Sequence, residues 1–124
     1  MNFDIPEDIF EMLEEEFPEP DETYWLVEEM PVYSGGQRAL LRFLTQHLAY
    51  PADAVQQKIQ GQVVCRFIVN KNGSISDIEV VNGVNPSLDK EALRVLHMMP
   101  PWTPGKRQGQ AVKVKYTLPI DFRL

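Results

Sequence analysis

The sequence has few of the residues on which covalent and metal chemistry depend. Its 124 residues include one cysteine, Cys65, and two histidines, His47 and His97. A single cysteine excludes an internal disulfide, and two histidines so far apart have no recognisable metal-ligand spacing. No apolar run approaches the roughly eighteen residues of a membrane span, and the N-terminus has no signal-peptide pattern.

None of these residues belongs to a recognisable catalytic arrangement. Cys65 shares a predicted strand face with Val63, Phe67 and Val69, so we interpret it as a small core residue. His97 lies off the apolar face of its helix, near the helix end, where a solvated or capping role is typical. His47 is interpreted as a surface residue. The sequence therefore predicts no enzyme, no catalytic residue, no metal site and no cofactor.

Basic residues are absent from the first thirty positions, which hold twelve of the eighteen acidic residues. Residues 31–124 hold all twelve lysines and arginines and six acids, so the two parts carry net charges of −12 and +6. We interpret residues 1–30 as an acidic, partly disordered N-terminal arm or linker, and residues 31–124 as one folded domain. Two roles for the arm stay open: a solvated tail, or a segment that docks on the basic body and competes with a partner.

Hydrophobic spacing in the body changes between the period of helices and that of strands. We predict an α+β fold of two layers, with helices packed on one face of a three- to four-stranded antiparallel sheet. A marginal helix over 8–16 and an extended segment over 23–27 are predicted in the arm. The predicted elements of the body are helices over 40–48, 52–59 and 88–99, the last capped by Ser87, and strands over 62–70, 74–81 and 112–122.

The last predicted strand has the features of a binding edge. Its residues alternate between a continuous apolar face and a basic or polar face. Pro119 cannot donate a backbone hydrogen bond, so we expect at least this part of the strand to be outer or near-outer in the sheet. Such an edge recruits an extended peptide through main-chain hydrogen bonds. Nucleic acid is not an expected partner, because no aromatic residues lie between the basic side chains to stack on bases.

Several short motifs follow one another along the chain, among them Tyr50-Pro51, Asn72-Gly73, Trp102 and Pro104-Gly105. In this order, they resemble the C-terminal domain of TonB proteins. Residues 27–31 followed by Gly35-Gly36 are similar to the lead-in of the Bacteroidetes branch of that family. The resemblance covers about residues 27–124 and implies the TonB C-terminal domain fold. The resembling segments are 50–64, 67–69, 75–81, 86–93, 100–106 and 112–122.

The resemblance implies a periplasmic energy transducer. Members of the family engage the TonB box of TonB-dependent outer-membrane transporters by β-strand addition. They transmit force from a proton-motive inner-membrane motor of the ExbB–ExbD type, in the uptake of siderophores and other nutrients. The implied partner-binding residues are His47, Leu48 and Tyr50 around the Tyr-Pro pair, and Lys106, Arg107, Lys113, Lys115 and Thr117 around the last strand.

Family members carry an N-terminal membrane helix and a proline-rich spacer, and this sequence contains neither. We interpret the chain either as the C-terminal piece of an inner-membrane-anchored transducer or as an unusual stand-alone member. A weak homodimer is a further expectation. The alternative function is a TonB-like periplasmic domain of a signalling or scaffold protein, or a cell-wall binding module.

Overall fold

Three helices and five strands make up residues 22–124, the part of the chain that the computed structural model describes. The helix predicted over 8–16 lies outside the described residues. No helix within 22–124 combines the length and the apolar character needed to cross a bilayer. In chain order the elements are β1 (Thr23–Tyr24), α1 (Gln37–His47), α2 (Ala52–Gln56), β2 (Gly61–Val69), β3 (Ile75–Asn82), α3 (Pro86–Leu96), β4 (Gly105–Arg107) and β5 (Gln110–Phe122).

The strands form one sheet in the order β1-β5-β2-β3, and β4 pairs with β5. β2 is antiparallel to β3 and to β5, whereas β1 is parallel to β5 through the pairs Thr23–Lys113 and Tyr24–Val114. The predicted α+β class is confirmed, but the sheet is mixed and has five strands instead of three to four antiparallel ones. The difference comes from β1 and β4, which are too short to show strand periodicity.

The hydrophobic core lies between one face of the sheet and the helices. Period-two alternation puts every second residue of β2 and β5 on this face, and helical spacing turns the apolar stripes of α1 and α3 toward it. Cys65 has no solvent exposure, which confirms its predicted place in the core. Other buried members of the core are Leu40, Leu44, Val63, Phe67, Val69, Leu88, Ala92, Val95, Leu96, Leu118, Ile120 and Phe122.

The start of α3 differs from the prediction in its capping residue. The side chain of Asn85, and not that of Ser87, accepts the Leu88 N–H at 2.9 Å. Pro86 then occupies the first turn, where a missing N–H costs nothing. Ser87 instead donates its hydroxyl to Asp53 of α2. At the other end, the exposed His97 is the C-cap, in agreement with its predicted role, but the helix ends at Leu96, three residues before the predicted bound of 99.

The turn between β2 and β3 positions the chain that leads to β4. Gly73 donates to the Asn70 carbonyl at 2.9 Å and accepts the Trp102 N–H at 2.7 Å. Its φ of +87° is left-handed, and a Cβ added there would lie 1.9 Å from the Trp102 carbonyl oxygen. The turn therefore requires glycine for conformation and for space. Trp102 is fixed in turn against Phe67 and Tyr116 of the sheet.

Candidate functional site

Among the described residues 22–124, no strand pairs with one side of β5 along most of its length. β5 lies second from the edge of the sheet, where β1 covers only Lys113 and Val114. From residue 115 to residue 122, its partner among the described strands is β2 alone. The prediction of an outer or near-outer last strand is therefore confirmed. We call residues 115–122 on this side the open edge.

Pro119 indicates which backbone groups the open edge presents. It lies opposite Val64 of β2. Because proline has no N–H to donate to β2, Pro119 and Val64 form a non-hydrogen-bonded pair. In such a pair the backbone groups of each residue point away from the other strand. Every second residue of the strand shares that direction. The N–H and C=O groups of Lys115, Thr117 and Asp121 accordingly face the open side.

The sheet face opposite the core carries basic side chains around an exposed tryptophan. Lys115 and Thr117 project from β5 on this face, and Arg66 projects from β2. The ring centroid of Trp25 lies 4.9 Å from the Lys115 Nζ and 5.2 Å from the Arg66 Cζ. Arg66 also forms an ion pair with Glu79 of β3. Trp25, Arg66, Glu79 and Lys115 line a shallow groove of about 470 Å³.

The basic residues of β4 contact the chain that precedes α1. Lys106 exchanges two backbone hydrogen bonds with Glu29, at 2.8 and 3.3 Å. The Arg107 Cζ lies 5.2 Å from the ring centroid of Tyr24, and its Nη1 lies 3.3 Å from the Tyr24 hydroxyl. Glu28 accepts the N–H of Gln108 at 3.2 Å. β4 thus holds residues 24–29 against the sheet.

The predicted residues His47, Leu48 and Tyr50 lie at the end of α1, in a second group. The His47 ring packs on Phe43 at a centroid distance of 4.4 Å. Tyr50 packs edge-to-face on Phe122 at 5.7 Å, and its hydroxyl donates to a backbone carbonyl. This group therefore reaches the C-terminal end of β5, while Lys113, Lys115 and Thr117 share the basic face.

A buried carboxylate that sequence reasoning missed holds the second group in place. Glu91 of α3 is 9% exposed and accepts the Ala49 N–H at 2.6 Å. Arg94 donates to the same carboxylate at 2.6 and 2.8 Å, and to the His47 carbonyl at 2.9 Å. The hydrogen bonds from Arg94 lower the pKa of Glu91, with a contribution from Ala49, although burial opposes them. The sequence feature that could have revealed Glu91 is the presence of an acidic residue on the apolar stripe of α3, between Leu88 and Ala92.

The described residues contain neither a reactive cysteine nor a metal-binding cluster. Burial, with the nearby charge of Asp89, raises the pKa of the Cys65 thiol to about 11. Residues 22–124 contain no group of three or more histidine, cysteine or acidic side chains that could hold a metal ion. The features that remain are an open strand edge, a basic face and a small α+β scaffold, which define a protein-interaction domain.

Comparisons with known proteins identify the family. The family described as Gram-negative bacterial TonB protein C-terminal matches residues 46–124, and the chain belongs to it. Two NMR structures of the Helicobacter pylori TonB C-terminal domain, of residues 179–285 and 194–285, are each 26% identical to this chain. Their TM-scores are 0.53 and 0.51, over 68% of this chain and 77% and 89% of those chains. Curated protein sequences give no match.

Membership of this family sets the general properties of the protein. TonB C-terminal domains are non-enzymatic interaction domains, and the protein is accordingly not an enzyme. Domains of this family lie in the periplasm and interact with outer-membrane transporters.

Proposed function

We propose that this domain engages the TonB box of TonB-dependent outer-membrane transporters by strand addition, and that it transmits force from an inner-membrane motor of the ExbB–ExbD type. The observation that carries the proposal is that, within residues 22–124 of this TonB C-terminal domain, β5 pairs over residues 115–122 on one side only, with β2. The motor acts, in this proposal, through chain that lies N-terminal to the domain.

The open edge offers both affinity and selectivity to an extended peptide. Backbone groups of Lys115, Thr117 and Asp121 supply a ladder of main-chain hydrogen bonds. Each such bond contributes about 0.5–1.5 kcal/mol net, so the ladder alone supports a modest, reversible complex. Lys115 and Arg66 on the adjoining face favour acidic side chains on the incoming peptide.

Strand addition also suits the transmission of a pull. A force directed along the strands loads several hydrogen bonds of the ladder together, so no single bond bears it alone. Tyr50, packed on Phe122, adds the end of α1 as a second contact area at the far end of the same strand. In this proposal a transporter therefore meets the domain along β5 and beside residues 47–50.

The binding site can be mapped by titrating the ¹⁵N-labelled protein with a synthetic TonB-box peptide. We expect amide chemical-shift changes at residues 115–122 and 46–51, with smaller changes on β3, which lies two strands away from the open edge. Changes confined to other surfaces, or none at millimolar peptide, would overturn the proposal.

Thr117 provides a matched pair of variants for the same titration. Thr117→Pro removes an N–H that faces the open side, whereas Thr117→Val keeps that N–H and the β-branched shape. We expect the proline variant to bind the peptide several-fold more weakly and the valine variant to bind like the wild type. Thermal melts verify that both variants are folded. Equal affinities in the two variants would mean that the open edge does not donate to the peptide.

A further inference from the structure

Part of the edge that a peptide would use is already covered by the chain itself. Residues 22–26, which we call the resident segment, contain β1, whose Thr23 and Tyr24 pair in parallel with Lys113 and Val114. The next residue, Trp25, lies over the basic face beside Lys115, the first residue of the open edge. The resident segment and the open edge therefore meet end to end on one strand.

The side chains of the resident segment use the same basic groups that would receive an acidic peptide. Trp25 lies within 5.2 Å of the Arg66 Cζ and 4.9 Å of the Lys115 Nζ. Tyr24 stacks under Arg107, and its hydroxyl also donates to Glu22 at 3.1 Å. An extended, aromatic and acidic sequence thus occupies a site whose chemistry selects for such sequences.

The resident segment is held by few contacts and has a firm anchor behind it. Only two of its residues form a strand, and the side chains of Trp25 and Leu26 are 55% and 81% exposed. The chain after it is anchored by two pairs of backbone hydrogen bonds, between Glu29 and Lys106 at 2.8 and 3.3 Å and between Val32 and Thr103 at 3.1 and 2.8 Å. The segment can therefore leave β5 while the chain after it stays attached.

We propose that the resident segment is an internal competitor of the partner peptide, and that a peptide pairing along β5 beyond the open edge displaces it. This inference rests on the proposed function, because it concerns the same edge. The tether keeps the segment at an effective concentration in the millimolar range, so weak pairing is sufficient to occupy the site. Displacement extends the ladder of the peptide from residues 115–122 to Lys113 and Val114.

The test compares Trp25→Ala with Leu26→Ala in the full chain. Trp25→Ala removes the contacts with Arg66 and Lys115, whereas Leu26→Ala removes a side chain of the same segment that is 81% exposed. Amide hydrogen exchange at residues 23–25 and 113–115 reports release of the segment without any partner. Affinity for a synthetic TonB-box peptide reports the competition.

We expect Trp25→Ala to speed exchange at these amides and to tighten peptide binding roughly three- to tenfold, with Leu26→Ala near the wild type on both measures. Faster exchange with unchanged or weaker peptide binding would overturn the competition while leaving the proposed function intact. Unchanged exchange would show that Trp25 does not hold the segment, and would also overturn it. If no variant binds the peptide at millimolar concentration, the proposed function fails, and the competition fails with it.

Discussion

Glu91 shows how a single buried carboxylate organises the end of α1. A carboxylate placed among apolar residues is costly unless its oxygens are hydrogen-bonded. The Ala49 N–H and the Arg94 guanidinium satisfy them, and Arg94 extends the link to the His47 carbonyl. The backbone of residues 47–49 is thereby fixed to α3, which keeps this candidate contact area in one conformation.

The lowered pKa of Glu91 gives its contribution to stability a defined pH dependence. A group whose pKa is depressed by folding stabilises the protein above its unfolded-state pKa, here near the ordinary value of 4.5. That stabilisation is lost as the pH falls through the folded-state pKa. As the pH is lowered below about 5, we expect the free energy of unfolding of the wild type to fall more steeply than that of Glu91→Gln.

Urea denaturation at a series of pH values measures this difference. Glu79→Gln, which removes an exposed carboxylate on β3, is the control for the loss of one negative charge. Parallel pH profiles for Glu91→Gln and the wild type would contradict the assignment.

Cys65 is expected to be inert in the folded protein. The thiolate is the reactive form, and burial with a pKa of about 11 leaves little of it at neutral pH. We expect an aromatic disulfide reagent at pH 8 to label the thiol only as the protein unfolds. The labelling rate measured against urea concentration should therefore follow the unfolding transition, whereas fast labelling without urea would contradict this account.

At the scale of elements, the β2–β3 turn depends on one glycine. Gly73→Ala combines a left-handed φ with a clash against the Trp102 carbonyl, whereas Gly109, at φ +77°, has no atom within 4 Å of an added Cβ. The backbone penalty common to both is about 1–2 kcal/mol. We expect Gly73→Ala to cost at least about 1 kcal/mol more in free energy of unfolding than Gly109→Ala.

Chemical denaturation of the two variants isolates the steric part of this cost. Gly109→Ala is the matched control, because it imposes a similar backbone penalty in open space between β4 and β5. Equal losses in the two variants would show that the contact with Trp102 is not limiting.

Long periodic elements could be predicted from the sequence, and short or long-range features could not. β2, β3 and β5 begin and end within about two residues of the predicted bounds, because each is long enough to show several repeats of the two-residue alternation. β4 is absent from the predicted elements, since three residues show no alternation. The parallel direction of β1 depends on a partner ninety positions away, which no local pattern encodes.

At the scale of the whole molecule, the candidate site also combines features that local periodicity predicts with features that depend on long-range strand pairing. Lys113, Lys115 and Thr117 were predicted to share a face, because alternate residues of one strand do so. The meeting of Trp25, Arg66 and Lys115 joins β2, β5 and the residue that follows β1, and only the order of strands in the sheet brings these residues together. The predicted boundary near residue 30 stays a prediction.

The register of β1 also has a consequence for the order of folding. In the unfolded chain, joining Thr23 to Lys113 closes a loop of ninety residues for two residues of pairing, which is entropically unfavourable. Once β2, β3 and β5 have assembled, only the few residues between β1 and Val32 must close, and loops of that length close in about 10–100 ns. Docking of β1 is thus a late and rapid step that follows the assembly of β2, β3 and β5. Its arrival and departure should average into a single set of NMR resonances, without a separate phase in refolding kinetics.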